Sequence, residues 1–360
     1  MEINRRVLLG SGLAASLPWS AVAAAQPASR PGARLRLVPL PTRVFKAPDL
    51  PREDMEAWFV TVAVESDNQR TLAVAGLQTT IYSHGNALRS NRYSAAAAEA
   101  LALRDRPAPE RQPDGTPRVA PVHWPLQFRL IERERGVLAA DRMSVSVTVR
   151  DESGESVIEC DIALGHYVQR TELVFPFRGP GLVTQGGAAN GGHRNRSGQF
   201  AIDAMGLGPD YAVQTGTEFA VNTDLSGFGR ELIAPAGGLI VHARSDRPDQ
   251  PVPGENNPDY HAPELRNQGD PGNHVIIDHG QGEFSMIAHF MAGSLRVGAG
   301  DVVVQGQPLG SMGNSGDSSA PHVHYQLQDG PDRQYANGLP CRFSNIGSDW
   351  MRRGQFFDAV

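Results

Sequence analysis

Two histidines separated by one residue, His322 and His324, are the clearest chemical signal in this chain. A turn-rich stretch containing Gly, Ser and Pro precedes them. Side chains at positions i and i+2 of a strand point to the same face, so a strand here would hold two imidazoles side by side. Imidazole is a common zinc ligand and the usual proton shuttle near neutral pH. The pair alone is weak evidence for a metal site, but His193, Asp203 and His289 come before it in the sequence.

A hydrolytic zinc site needs about three protein ligands and one open position for water. The metal lowers the pKa of that water and polarises the scissile carbonyl, while separate groups move protons and stabilise the developing oxyanion. Asp203 lies within the short apolar segment 200–204, where a buried carboxylate needs a partner or a bound cation. These residues therefore predict a candidate metal centre.

The first half of the chain is expected to consist mainly of strands. Apolar side chains alternate along residues 58–65 and 143–149, and the turn sequence at 151–154 predicts a hairpin with residues 157–164. The alanine-rich segment 94–103 predicts a short helix. Several short strands without a cluster of catalytic residues favour a β-sandwich, of which the immunoglobulin-like fold is one form.

The second half is expected to be a separate β domain. Gly and Pro are dense between residues 176 and 192, which indicates a domain boundary. Strands are predicted at 273–278 and 283–290, and the long proline-rich loop 246–272 is typical of a functional loop, for instance a wall of a cleft. The predicted divisions are a signal peptide at 1–25, a tether at 26–34, a β-sandwich-like domain at 35–178 and a second β domain at 185–345.

Residues 1–25 are typical of an export signal, because an arginine pair precedes an apolar run and a small-residue cleavage site. The pair Arg5 and Arg6 resembles a twin-arginine signal, but Asn4 stands where such signals usually carry Ser or Thr, so both export routes stay open. The alternative is a retained anchor, although the apolar run is too short to span a bilayer comfortably. We therefore expect a periplasmic or extracellular protein with no membrane span in the mature chain.

Composition and charge narrow the classes of partner. Hydrophobic residues make up 40% and charged residues 20%, as in ordinary globular proteins. The formal net charge of −6 gives no electrostatic reason to bind nucleic acid. Cys160 and Cys341 could pair in an oxidising compartment, or both could be free thiols, and neither has the spacing of a cysteine-based metal site.

The order of motifs in the second half resembles the lysostaphin-type (LytM-type) zinc metalloendopeptidases. The resemblance runs from about residue 191 to 328, and many ordered matches make it specific. The matching segments are Ala-Pro-Ala-Gly-Gly-Leu-Ile at 234–240, Val-Ile-Ile-Asp-His-Gly at 275–280, Ile-Ala-His-Phe at 287–290, the Gly-containing segment 297–310, and Gly-Asn-Ser-Gly at 313–316 before the histidine pair.

The resemblance implies a small antiparallel β domain that binds one Zn²⁺ ion through His193, Asp203 and His324. It implies that His289 and His322 flank the water and the substrate carbonyl as general base and electrostatic stabilisers, without settling which does which.

The sequence departs from the family pattern at two places. His193 and Asp203 are ten residues apart, where the common spacing is four. Gln326 stands where the family motif closes with Glu, at a position that is not a metal ligand.

The function implied is an endopeptidase that cleaves peptide cross-links of peptidoglycan. One alternative is a non-catalytic relative that regulates other cell-wall hydrolases, and the other is a zinc peptidase that acts on proteins. Zinc content would distinguish the first alternative, and digestion of peptidoglycan beside a casein-like protein would distinguish the second.

Overall fold

The structure is a computed structural model of the chain. It describes residues 34–40, 43–48, 55–106, 122–135, 139–186, 193, 195–216, 219–255, 269–347 and 350–360. The predicted signal peptide, the tether except for Arg34, and much of the predicted cleft-wall loop lie outside these residues. Within the described residues, no helix is both long enough and apolar enough to span a bilayer.

The first half of the chain forms a curled β-sheet with one short helix. Its elements are β1 (Leu35–Pro39), β2 (Arg43–Pro48), β3 (Met55–Ser66), β4 (Ala73–Ser83), β5 (Asn86–Tyr93), α1 (Ala95–Leu101), β6 (Ala102–Arg106), β7 (His123–Arg135), β8 (Arg142–Asp151) and β9 (Gly154–Gly165). The hairpin of β8 and β9 and the helix α1 confirm two predictions from the sequence. The side chain of Ser94 begins α1 by accepting a hydrogen bond from the Ala97 amide at 3.3 Å.

The strands of this half follow the order β5-β4-β8-β9-β2-β3-β7-β6, with β1 beside β3. Strand β2 pairs in parallel with β9 and antiparallel with β3, so it joins the two halves of the sheet. The two halves face each other, because Thr79 on β4 donates a hydrogen bond to the buried Glu132 on β7. Alternating residues such as Val60, Val62 and Val145 fill the space between them. The mainly β fold is confirmed, while the immunoglobulin-like form stays a prediction.

The second half forms an antiparallel sheet. Its strands are β10 (Gly179–Gln185), β11 (Ile202–Gly206), β12 (Glu231–Ile233), β13 (Gly238–Arg244), β14 (Asn273–Asp278), β15 (Phe284–Phe290), β16 (Val302–Val303), β17 (Pro308–Ser311), β18 (Val323–Gln328), β19 (Gly338–Leu339) and β20 (Phe356–Ala359), with a 3₁₀ turn at Asn222–Asp224. The main sheet has the order β16-β13-β14-β15-β18-β11-β10-β20, β19 pairs with β18, and β12 pairs with β17. Strands β14 and β15 confirm the two strands predicted here.

One face of this sheet packs on the domain's main apolar core, and the other carries polar side chains beside a small buried cluster of Ile276, Met286 and Ala288. Val323, Tyr325 and Leu327 of β18 belong to the buried apolar cluster. The intervening positions, beginning with His324, therefore face the opposite side of the sheet. The sequence of β18 thus separates a packing face from a chemical face within one strand.

The segment between the two sheets packs with the second one. Leu173, Phe175 and Phe177 belong to the apolar cluster of the second sheet, although they precede its first strand. The carboxylate of Glu283 accepts hydrogen bonds from the amides of Arg170 and Thr171, each at 2.7 Å. The exact division between the domains stays a prediction. Cys160 and Cys341 are free thiols in this structure.

Candidate metal centre

The pairing of β11 with β18 brings Asp203 and His324 together. The two residues are direct partners in the antiparallel register, so their side chains leave the sheet on the same face. His324 Nδ1 lies 2.9 Å from Asp203 Oδ1, and Asp203 is only 4% exposed. The two residues are 121 positions apart in the sequence, and the pairing of their strands brings them together.

His193 joins this pair from outside the strands. Its Nε2 lies 3.2 Å from Asp203 Oδ2, and its ring centroid is 4.8 Å from that of His324. One donor atom from each of the three residues lies within 4.8 Å of the other two. The side chains of His193 and Asp203 are therefore in contact despite their unusually long separation in the sequence.

His322 lies immediately before β18, on the same side as His324. Its Nδ1 donates a hydrogen bond to the carbonyl of Ala320 at 2.7 Å, and the Ser318 hydroxyl lies 3.2 Å from the same nitrogen. Its Nε2 is 3.7 Å from Asp203 Oδ1. The backbone therefore occupies the far nitrogen and leaves Nε2 facing the centre.

His289 lies near the end of β15, just beyond the last residue of that strand that pairs with β18. Its backbone has a φ of 65°, in the left-handed region that histidine rarely adopts. Its Nδ1 donates to the carbonyl of Ser315 at 2.7 Å, and its ring centroid lies 4.6 Å from that of His322. The unusual backbone and this hydrogen bond together turn the imidazole towards the other histidines.

Two glycines hold the segment that carries the Ser315 carbonyl. A Cβ atom on Gly272 would lie 2.3 Å from the Ser315 carbonyl oxygen, and one on Gly316 would lie 2.3 Å from the Gly272 amide nitrogen. Both glycines also have positive φ angles, 62° and 83°. Only glycine fits these positions, and their close contact fixes the acceptor that orients His289.

Burial and neighbouring side chains shift the pKa values of Asp203 and His289. Burial alone would raise the pKa of Asp203, but the imidazoles of His193, His322 and His324 beside it hold that pKa well below its usual range. Burial, together with His322 and His324, holds the pKa of His289 well below its usual value. The centre therefore combines an anionic carboxylate with a neutral imidazole at neutral pH.

The chemistry of the donors fits a zinc ion. Two imidazoles and one carboxylate form a typical three-ligand set for catalytic zinc, which leaves a fourth position open. Asp203 faces His193 and His324 with both carboxylate oxygens. Among the described residues, this is the one group of three or more His, Cys, Asp or Glu side chains with this geometry.

The other described histidines of this domain make stacking contacts and hydrogen bonds within the sheet and its turns. His242 and His274 stack with ring centroids 4.7 Å apart, and His274 Nδ1 donates to the Gly272 carbonyl at 2.8 Å. His279 bonds to the Gly237 carbonyl at 2.8 Å and to the Ser285 hydroxyl at 2.7 Å. His261, in the predicted loop 246–272, lies outside the described residues.

Sequence reasoning did not find the groups that orient the histidines. The carbonyls of Ser315 and Ala320 have no signature in the sequence, because any residue type supplies a carbonyl. Gln326 Oε1 lies 3.0 Å from His324 Nε2. The i+2 spacing on a strand could have identified Gln326 as a neighbour of His324.

Residues 212–337 match the model of peptidase family M23. Comparison with curated protein sequences gives no match of sufficient significance.

Several solved structures resemble the chain at low identity. The catalytic domain of a mutant of the prophage-encoded M23 protein EnpA from Enterococcus faecalis is 21% identical, with 44% of this chain and 88% of that chain covered and a TM-score of 0.28. The catalytic domain of lysostaphin from Staphylococcus simulans is 20% identical, with 38% and 86% covered and a TM-score of 0.23. A zinc-containing peptidase from Vibrio cholerae is 12% identical, with 88% and 87% covered and a TM-score of 0.28.

The matched segment contains His289, His322 and His324, and it begins just after Asp203. The match of residues 212–337 to the model of peptidase family M23 confirms the resemblance that the sequence motifs indicated.

Proposed function

We propose that the protein is an exported zinc metalloendopeptidase that hydrolyses amide bonds in the peptide cross-links of peptidoglycan. The convergence of His193, Asp203 and His324, whose donor atoms lie within 4.8 Å of one another, is the observation that carries this proposal. His289 and His322 stand beside that group with their Nε2 atoms free of backbone partners. The match of residues 212–337 to a peptidase family model supports the same reaction class.

In this proposal His193, Asp203 and His324 hold the metal. Zinc in such a site lowers the pKa of water and polarises the scissile carbonyl. His324 and Asp203 extend from neighbouring strands of one sheet, so the ligand geometry is set by the register rather than by a mobile loop. The long spacing from His193 to Asp203 is compatible with this role, since the two side chains are in contact.

His289 and His322 are the candidates for proton transfer and for stabilising the oxyanion. In each ring Nδ1 donates to a backbone carbonyl, so Nε2 of the neutral ring can accept a proton. A protonated Nε2 could then donate to an oxyanion or to the leaving amine.

The first test uses residues 26–360 and the substitution His324→Ala. We expect the variant to lose zinc binding and hydrolysis together, because it removes one of the three proposed zinc ligands and leaves the buried Asp203 carboxylate with fewer partners. His166→Ala is the matched control, since His166 is exposed and lies outside the centre. Full hydrolysis by His324→Ala would refute the proposal.

Two further measurements separate the alternatives. A wild-type protein that folds without binding zinc would favour a non-catalytic regulator of cell-wall hydrolases. Digestion of a casein-like protein, with purified peptidoglycan left intact, would favour a zinc peptidase acting on proteins.

A further inference from the structure

Two buried glutamines continue the chemical face of β18 beyond His324. Residues 324, 326 and 328 alternate along the strand and so share a face. His324 Nε2 lies 3.0 Å from Gln326 Oε1, and Gln326 Nε2 donates to Gln328 Oε1. Gln328 Nε2 donates to the Gly330 carbonyl at 2.7 Å. Gln326 and Gln328 form what we term the glutamine row.

The direction of hydrogen bonding in the glutamine row is fixed at its far end. The Gly330 carbonyl can only accept, so the amide nitrogen of Gln328 must face it. Gln328 then presents its oxygen to Gln326, which presents its own oxygen to His324. Gln326 is 3% exposed and Gln328 is fully buried, so water offers no ready alternative partner. Reversing either amide would bring two acceptors face to face.

This direction determines which nitrogen of His324 carries the proton. Gln326 Oε1 can only accept, so His324 Nε2 must donate to it. A neutral imidazole protonated at Nε2 has its lone pair at Nδ1, the atom that lies 2.9 Å from Asp203 Oδ1. A lone pair facing a carboxylate is repelled unless a proton or a metal ion lies between the two atoms, and a bound metal ion would take the place of that proton. The glutamine row thus prepares Nδ1 to be a metal ligand.

We propose that Gln326, aligned by Gln328, is a positioning residue that fixes the tautomer and ring orientation of His324 for zinc binding. This inference rests on the zinc site of the proposed function, and it concerns metal affinity rather than hydrolysis. Gln328 does not bond to His324, so its effect passes entirely through the Gln326 amide.

Variants of the chain distinguish this arrangement from ordinary packing. Gln326→Leu removes the acceptor for His324 Nε2. Gln326→Glu keeps an acceptor at the same place and is the conservative variant. Gln328→Met removes the acceptor of the Gln326 amide without touching His324. Leu327→Met is the matched control on the opposite, apolar face of the same strand.

The experiment measures the zinc affinity of residues 26–360 by competition with a chelator. Gln326→Leu is expected to weaken zinc binding by about 10- to 100-fold, the usual effect of losing a partner that orients a ligand. Gln328→Met should weaken it by about 10-fold. Gln326→Glu should rescue affinity to the order of magnitude of the wild type, and Leu327→Met should leave it unchanged.

A second readout is the spectrum of ¹⁵N-labelled histidine in the zinc-loaded protein. We expect His324 to show a protonated Nε2 with slow hydrogen exchange in the wild type and in Gln326→Glu. That signal should be lost in Gln326→Leu and weakened in Gln328→Met. If Gln326→Leu does not fold, Gln328→Met decides.

The outcomes separate this inference from the proposed function. Equal zinc affinity and an unchanged His324 signal in all variants would overturn the proposed positioning role of the glutamine row while leaving the peptidase proposal intact. A wild-type protein that binds no zinc would overturn that positioning role as well. Zinc binding with the expected variant pattern, but no hydrolysis of any peptide, would support the row and refute the peptidase.

Discussion

At the scale of single residues, the backbone fixes the imidazoles that flank the centre. The Ser315 and Ala320 carbonyls each accept a hydrogen bond from the Nδ1–H of a histidine, which leaves the opposite nitrogen directed inward. Such hydrogen bonds preorganise a site, because the rings need not reorient when substrate or metal arrives. The cost is visible at His289, whose backbone lies in the left-handed region, while two closely packed glycines fix the Ser315 carbonyl that orients its ring.

A buried histidine outside the centre gives a prediction about pH. Burial lowers the pKa of His274 to about 4, so the folded protein keeps this ring neutral where the unfolded chain would protonate it. The unfolded state binds more protons between about pH 6.5 and 4, and stability is therefore lost as the pH falls through that range. We expect His274→Gln to reduce the loss of unfolding free energy between pH 7 and 4.5 by about 2 kcal/mol.

Urea denaturation of the metal-free protein at the two pH values measures this effect. His166→Gln is the control, because His166 is exposed and should leave the pH dependence as in the wild type. An identical pH dependence for His274→Gln and the wild type would contradict the prediction.

Residue types explain what the sequence could and could not predict about the site. The pair His322 and His324 could be found because strand periodicity places i and i+2 on one face. The pairing of Asp203 with His324 is a register between strands distant in sequence, and only the family resemblance indicated it. The direction of the glutamine row depends on the Gly330 carbonyl, which no residue type reveals.

At the scale of elements, strand order sets the distances in the centre. Strands β15, β18 and β11 are neighbours, so the residues opposite His324 are Ala288 on one side and Asp203 on the other. Because Ala288 has a small side chain, it takes up little room beside His324 on this face of the sheet. Turn signals around short segments predicted strands such as β14 and β15, whereas the order of the strands across the sheet required the folded chain.

The segment that enters the second sheet is tied to β15 through Glu283. This carboxylate is 1% exposed and accepts hydrogen bonds from the Tyr167 hydroxyl and from the amides of Arg170 and Thr171. Glu283→Gln replaces one acceptor oxygen with a donor group that faces another donor. We expect it to lower the free energy of unfolding by about 2 kcal/mol, since hydrogen bonds to charged groups contribute about 1.5–3 kcal/mol.

Chemical denaturation at pH 7 measures this loss against the control Glu172→Gln. Glu172 is exposed in the same segment, and surface changes of this kind usually stay within about 0.5 kcal/mol. Equal destabilisation by the two variants would show that the carboxylate of Glu283 does not stabilise the connection.

At the scale of the whole molecule, the two sheets have separate apolar cores. The cluster of the first sheet ends at Leu164, and that of the second begins at Leu173, with no residue common to both. Contact between the halves includes the rings of Phe45 and Tyr167, whose centroids lie 5.4 Å apart. The candidate metal centre lies wholly within the second half, because its strand-borne residues lie on β11, β15 and β18.

Metal removal should therefore destabilise one half of the molecule more than the other. Zinc at about 100 times its dissociation constant stabilises the state that binds it by about 2.7 kcal/mol. In Trp350→Phe of residues 26–360, the remaining tryptophans, Trp58 and Trp124, report only on the first sheet. We expect a chelator to lower the unfolding temperature seen by calorimetry for the second sheet and to leave the fluorescence transition unchanged. A single transition that shifts equally by both methods would mean that the two cores unfold as one unit, because zinc would then stabilise residues far from its ligands.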